Sequence, residues 1–311
     1  MLEMITIETR DMFRFPESPT LFVAITNKCN VNCKYCYIHN NQSKKESLDI
    51  SEIISAIEDI SPGKLVITGG EPLLYPSNII GVMNYFNAHY RNHWNSTICS
   101  NLLFDKISSK QIEAINKFDY LQTTFESQRI TDENYKQWKD NFLIIRNSCN
   151  NLRYMDIIYN ISDEEIESNS IPPLNKIASL RPNGISFEFR SNSKDYNKLD
   201  EYLDKCFIEL DKYPSIENLT KKSWKNAIES NYFINCNKCN SGLCKVYTTS
   251  DPDNVYDGCI CNSGNIRTKA KVAKCVQCDL FKYCRFNCER FGDECGFPKN
   301  TFRKFLKEVD T

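Results

Sequence analysis

The sequence predicts an α/β protein: a large unit of six βα repeats around a parallel sheet, and after it a small Cys-rich region stapled by metal. Two observations carry this. From residue 21 to about 210, short β-rich apolar runs alternate with segments of helical period, the pattern in which each helix packs back onto a parallel sheet. After residue 214 the composition shifts to Asn, Lys, Asp and Cys with few apolar runs, too little apolar surface to close a core without metal. A chain of 311 residues is near the upper limit for one hydrophobic core, so the expected division is a unit at 1–213 and an appendage at 214–311.

The strand candidates are residues 21–26 (LFVAIT), 64–68 (KLVIT), 96–100 (STICS), 120–125 (YLQTTF), 153–159 (RYMDIIY) and 185–190 (ISFEFR). Each precedes a helix candidate. The first helix is the clearest, because Ile50, Ile53, Ile54, Ile57 and Ile60 recur at helical spacing behind polar residues suited to capping. The later ones are 78–90, 109–118, 133–146, 173–180 and 199–213, and the polar stretch 40–47 reads as an exposed loop. Six consecutive βα units suit an open doubly wound sheet or an incomplete barrel; both place ligands at the C-terminal ends of the strands.

Charge narrows the function classes. Lys and Arg number 39 against 40 Asp and Glu, a formal net charge of -1, so no global basic field attracts nucleic acid or anionic lipid. The 12% of aromatic residues form no interleaved basic and aromatic surface for stacking single strands. The N-terminal MLEMITIETRDMFRFPE is acidic where a signal peptide is basic, and no later stretch approaches a membrane span. A cytoplasmic location with no membrane or nucleic-acid partner is expected.

Sixteen cysteines are the outlying feature. In a reducing cytosol they stay thiols, available as metal ligands. Three lie between Cys29 and Cys36, ten between Cys236 and Cys295, and Cys99, Cys149 and Cys206 are scattered between. The scattered three read as small buried hydrophobes.

The first group, TNKCNVNCKYCY, spaces Cys29, Cys33 and Cys36 as C-x3-C-x2-C directly after the first strand. Four thiolates close a four-iron cluster, whereas three leave one iron open to a small molecule. A zinc site completed by His39 is the alternative from spacing alone. The second strand ends in ITGGEPLLYP, which puts Gly69, Gly70, Glu71 and Pro72 at the same edge of the sheet. Paired glycines let a backbone approach a ligand, and the carboxylate beside them offers a partner to an ammonium group. Alone, GGEP reads as a turn; together the two motifs are specific. His89 and His93, beside the end of the second helix candidate, read as surface or packing residues.

On these residues the chain resembles the radical S-adenosylmethionine (SAM) superfamily over roughly residues 20–210, with Tyr35 as the aromatic residue before the third cysteine. The resemblance implies a partial (β/α)6 barrel. It implies that Cys29, Cys33 and Cys36 bind a [4Fe-4S] cluster whose free iron chelates SAM, and that Gly69, Gly70 and Glu71, with Pro72 in the same motif, hold its amino group. Tyr35 and Tyr37 then lie near the adenine. Ser100 and Asn101 occupy the place of a common Thr-Asn-Gly segment, which departs at Leu102, and Thr124 and Glu126 are ribose contacts.

From Cys275 the chain reads CVQCDLFKYCRFNC, a C-x2-C-x5-C-x3-C run followed by Cys295. A zinc ribbon is the alternative from this spacing. Upstream, nine residues separate Cys244 from Asn254, and four separate Asn254 from Cys259. This resembles the first half of the SPASM auxiliary-cluster domain, with Asn254 for a glycine and still suited to a left-handed turn. The resemblance implies one auxiliary four-iron cluster on Cys239, Cys244, Cys259 and Cys288, and another on Cys275, Cys278, Cys284 and Cys295. Cys236 is a substitute for Cys239, and Cys261 is spare.

The activity implied by the resemblance is reductive cleavage of SAM and abstraction of a substrate hydrogen, with an external one-electron donor such as flavodoxin or ferredoxin. Two extra clusters suit a net oxidation. The leading substrate class, by family analogy, is a ribosomal peptide or protein side chain, modified to a thioether, a C–C crosslink or an oxidised product. About 20 residues precede the first strand, so a peptide is expected at the barrel mouth, on a carrier protein or along residues 191–235. The runner-up is a radical dehydrogenase of a small alcohol, amine or sugar. A third reading, a non-catalytic zinc-binding interaction protein, leaves the GGEP pairing unexplained.

Overall fold

A computed structural model of the chain describes residues 20–33, 36, 47–90, 96–127, 129–189, 196–229, 244–248, 251–257 and 299–309. The six expected strands form as β1 (Thr20–Ala24), β2 (Lys64–Thr68), β3 (Ser96–Ser100), β4 (Tyr120–Phe125), β5 (Tyr154–Ile161) and β6 (Gly184–Phe189). They pair in parallel and in chain order. A doubly wound sheet reverses its order at a switch point; this one never does. Right-handed crossovers running in one direction put every helix on one face, so the sheet is an open partial barrel.

Register explains the alternation in the strands. Val23, Ile67, Ile98, Leu121 and Met155 stand side by side across five strands, all buried in one continuous core. The helices that cover this face are α1 (Ile50–Ile60), α2 (Pro76–His89), α3 (Ser109–Ile115), α4 (Asp132–Ser148), α5 (Asp163–Ser168), α6 (Leu174–Ala178) and α7 (Tyr196–Leu210). On α1 the Asp49 N–H donates to Glu52 Oε2 at 2.8 Å, and Ser61 closes the helix in the left-handed region with φ 48°. Between β5 and β6 two short helices replace the single one expected. Asn169, left-handed at φ 51°, stops α5, and Pro172 and Pro173 follow before α6.

The opposite face carries polar rows: Cys99, Gln122 and Asp156 stand in register, with Asn160 and Glu188 nearer the C-terminal ends. Cys149 and Cys206 are buried in the core as expected. Cys99 is not; it faces this polar side, and its thiol donates to Gln122 Oε1 at 3.7 Å.

Both edges of the sheet extend beyond the six strands. On one, β7 (Glu217–Asn218) joins β6 and leads into α8 (Leu219–Glu229). On the other, β8 (Cys244–Thr248) lies parallel to β1 and pairs antiparallel with β9 (Asp251–Asp257). A last helix, α9 (Lys299–Val309), packs on α7. Trp224 of α8 meets Phe207, Phe302 and Phe305 edge-on at 4.9–5.5 Å, so residues on both sides of position 213 share one apolar core. Three aromatics spread over two polar helices give too weak a periodic signal for sequence reading.

The start of α9 is capped from outside its own segment. Asp200 of α7 accepts from the N–H groups of Asn300 at 2.7 Å and Thr301 at 2.9 Å, and from the Thr301 hydroxyl at 2.5 Å. Asp200→Ala orphans two backbone donors of the first turn, one of them buried, and should cost about 2 kcal/mol. Limited proteolysis checks this: the variant is expected to be clipped near α9 faster than wild type, and equal rates would mean that the aromatic contacts alone hold the helix.

Candidate functional site

The three cysteines stand where the motif spacing put them, on the loop leaving the C-terminal end of β1. All three thiols are free and half-buried, and Cys36 N–H donates to Cys33 C=O at 3.1 Å to make a tight turn between two of them. Burial pushes the Cys29 and Cys33 thiols above their ordinary value. For Cys33 this is opposed by the positive charge of the nearby Arg129 guanidinium. Among the described residues no three His, Cys, Asp or Glu side chains close on a single metal ion. What fits a cluster here is the donor set, three thiols on one loop, and not a preformed cage. His39, Tyr35 and Tyr37 lie outside the described residues.

The GGEP segment docks directly on this loop. Gly70 N–H donates to Thr26 C=O and Glu71 N–H to Lys28 C=O, both at 2.7 Å. A Cβ on Gly69, whose φ is +135°, would stand 2.5 Å from the Thr26 oxygen, and one on Gly70 would stand 2.1 Å from the Lys28 oxygen. The glycines are therefore required for backbone-to-backbone packing of the strand end against the cysteine loop.

Glu71 lies at the same edge of the sheet. Its carboxylate is fully buried and turned back into the sheet, where it accepts from Leu73 N–H at 3.0 Å, the Ser100 hydroxyl at 2.9 Å and Asn101 N–H at 2.8 Å. Burial outweighs these three donors and lifts its pKa to about 7. In this arrangement the carboxylate ties the end of β2 to the end of β3. Pro72 is buried and starts a 3-10 turn over residues 72–74.

Ser100 and Asn101 are both buried at the end of β3, and Asn101 reaches the cysteine loop: its Nδ2 is 2.8 Å from Asn30 Oδ1 and 3.6 Å from Cys29 Sγ. Leu102, where the resemblance has glycine, adopts φ 56° with its side chain fully buried. The left-handed backbone costs about 1–2 kcal/mol, less than the roughly 2–5 kcal/mol lost when a buried leucine is truncated, so the leucine is held in place by its burial. On β4, Thr124 is half-buried on the polar face. Glu126 is buried beyond the strand end, close enough to Cys33 to raise its pKa.

Arg129 is the residue that sequence reading missed. It lies on the loop after β4 against Cys33 and near Glu71, and its Nε is buried with no hydrogen-bond partner among the described residues. A single basic residue just past a strand end was the only available signal. His89 is exposed and stacks on Tyr85 at 4.2 Å, away from the site; His93 lies outside the described residues.

Of the C-terminal ligands, only Cys244 falls among the described residues. It opens β8, paired with Thr20, and β9 ends at Asp257, level with Lys245 and two residues before Cys259 in sequence. Asn254, expected at a left-handed turn, lies inside β9. Cys236, Cys239, Cys259, Cys261, Cys275, Cys278, Cys284, Cys288 and Cys295 are outside the described residues.

Residues 23–169, which hold both motifs, match the Radical SAM superfamily. That segment of the chain is similar to a radical SAM domain. It is also similar to an uncharacterized protein of Methanocaldococcus jannaschii, 31% identical over 113 residues, 33% of this chain and 39% of the relative. A probable GTP 3′,8-cyclase of Methanothermobacter thermautotrophicus is 28% identical over 123 residues, 33% of this chain and 40% of the relative. The chain thus spans about two-fifths of the length of these relatives. In fold it is similar to native anSMEcpe with bound AdoMet and the Kp18Cys peptide, with a TM-score of 0.61 at 14% identity over 93% of this chain and 96% of that one. The complex of anSMEcpe with the Cp18Cys peptide gives 0.58 at 12%, with the same coverage. No helix among the described residues is long and apolar enough to cross a membrane.

Proposed function

We propose that this radical SAM enzyme modifies a peptide or protein side chain by an oxidation, with two auxiliary clusters in its C-terminal region. The observation that carries the site is the docking of the GGEP strand end onto the cysteine loop, which brings three thiols and a strand-end backbone to one edge. Cys29, Cys33 and Cys36 would hold a four-iron cluster, which when reduced would supply the electron for cleavage of SAM to methionine and a 5′-deoxyadenosyl radical able to take a substrate hydrogen.

The residues around the thiols have separate tasks in this reading. Backbone groups of Gly69 and Gly70 face the amino group of SAM, and the Arg129 guanidinium, with its spare donor, meets the carboxylate. Thr124 and Glu126 contact the ribose, with Tyr35 and Tyr37 at the adenine. The peptide assignment is supported by likeness along nearly the whole of both chains to an enzyme bound to AdoMet and a peptide. The similarity to GTP 3′,8-cyclases covers only a third of this chain or less and speaks for the shared cofactor site. Cys239, Cys244, Cys259 and Cys288 would hold one auxiliary cluster, and Cys275, Cys278, Cys284 and Cys295 the other.

Anaerobic reconstitution tests this. Iron and sulfide near ~12 per chain are expected for three four-iron clusters, and about four if only the first forms. With a strong reductant, 5′-deoxyadenosine should accumulate, and Cys- or Ser-containing peptides presented to the enzyme should lose mass as hydrogen is removed. Zinc without sulfide and no cleavage of SAM would overturn the reading.

A further inference from the structure

We propose that Asn101 is a positioning residue for the cluster, donating a hydrogen bond to the Cys29 sulfur and thereby raising the cluster's reduction potential, and is not a contact to SAM. The proposal rests on the cluster assignment above and goes beyond it by giving one side chain a redox role.

The orientation of the carboxamide is fixed by backbone groups. Leu103 N–H donates to Asn101 Oδ1 at 2.8 Å, and Leu103 C=O accepts from Asn30 Nδ2 at 2.5 Å. An N–H needs an acceptor and a C=O a donor, so neither amide can be flipped. Asn101 Nδ2 is left pointing at Asn30 Oδ1, 2.8 Å away, and at Cys29 Sγ, 3.6 Å away. Its two protons thus have one acceptor each. The backbone is pinned as well, since Asn101 N–H donates to the buried Glu71 carboxylate and the next residue is held left-handed.

With both protons committed, little of this carboxamide remains for SAM. A donor aimed at a ligating thiolate draws electron density from sulfur and favours the reduced, more negative state of a cluster. Because Asn101 belongs to the end of β3 and Cys29 to the loop after β1, the strand order of the sheet sets this hydrogen bond.

The test uses the full chain, anaerobically reconstituted without SAM, as wild type, Asn101→Asp and Asn101→Ala. Asp keeps the shape and the acceptor for Leu103 N–H but replaces the donor facing sulfur with an oxygen; Ala removes the contact. EPR-monitored redox titration should show the one-electron equilibrium shifted about tenfold toward the oxidised cluster in both variants, about 59 mV more negative. Iron and sulfide content and SAM binding by equilibrium dialysis are expected to match wild type. An unchanged potential with weakened SAM binding assigns Asn101 to SAM and overturns the proposal. Unchanged potential and binding with only a lowered melting temperature overturns it too, leaving a structural role. A wild-type chain that takes up no iron and sulfide overturns the cluster assignment itself, and this is read on wild type before either variant.

Discussion

Gly70→Ala abolishes 5′-deoxyadenosine formation and lowers stability at the same time. The added methyl would stand 2.1 Å from the Lys28 oxygen, 2.6 Å from the Lys28 carbonyl carbon and 2.9 Å from the Asn27 oxygen. All three are backbone atoms, so no rotamer change relieves the overlap. Either the strand end lifts away or the loop from Asn27 to Cys29 moves. Lifting breaks the 2.7 Å bonds from Gly70 N–H to Thr26 and from Glu71 N–H to Lys28, which also leaves buried donors unpaired. The expected loss is at least about 3 kcal/mol, at the severe end for overpacking a single position. Cys33→Ala separates the two consequences. Its thiol is half-buried and supports little packing, so that variant should lose SAM cleavage while melting close to wild type. Equal melting temperatures for Gly70→Ala and wild type would show that the loop adapts and that the glycine is not needed for docking.

The metal-free chain is expected to lose stability as pH rises from about 4.5 to about 7, because of Glu71. Its folded pKa is lifted from an ordinary 4.5 to about 7 by burial. A raised folded value means that the folded state holds the proton more tightly than the unfolded one. The associated stability is therefore fully present below the ordinary value and is lost as pH climbs through the folded value. The difference amounts to about 3 kcal/mol. Urea titrations of the apo protein across this window measure it. Glu71→Gln has no ionisation and should remove the Glu71 part of the slope. It also carries an offset of about 1–3 kcal/mol, because its NH2 must face either Asn101 N–H or the donors Leu73 N–H and Ser100. A wild-type slope that persists undiminished in Glu71→Gln would place the proton elsewhere.

Both expectations concern atoms that the sequence placed near the site. The C-x3-C-x2-C spacing and the GGEP motif were legible because each lies within a few residues, and the βα alternation because period is a local property. The same reading left the choice between a doubly wound sheet and a partial barrel open. Strand order decides that, and strand order is a relation between segments tens of residues apart. It likewise assigned Glu71 to a ligand and Asn101 to SAM, since neither residue carries a mark of which way it turns.

The sequence by itself placed three thiols on one loop and set the strands that carry that loop, together with the resemblance over roughly residues 20–210. Only the tertiary structure decided that the glycines press on the backbone of Thr26 and Lys28, that Glu71 is spent on joining β2 to β3, that Asn101 reaches Cys29, and that Arg129 stands against Cys33. The physical reason is register. A strand's pattern says which residues share a face, but the pairing of β1 with β2, β2 with β3 and β3 with β4 brings together atoms from positions 29, 70, 101 and 129, and hydrogen bonds of 2.7–3.6 Å depend on that alignment to a fraction of one residue's rise.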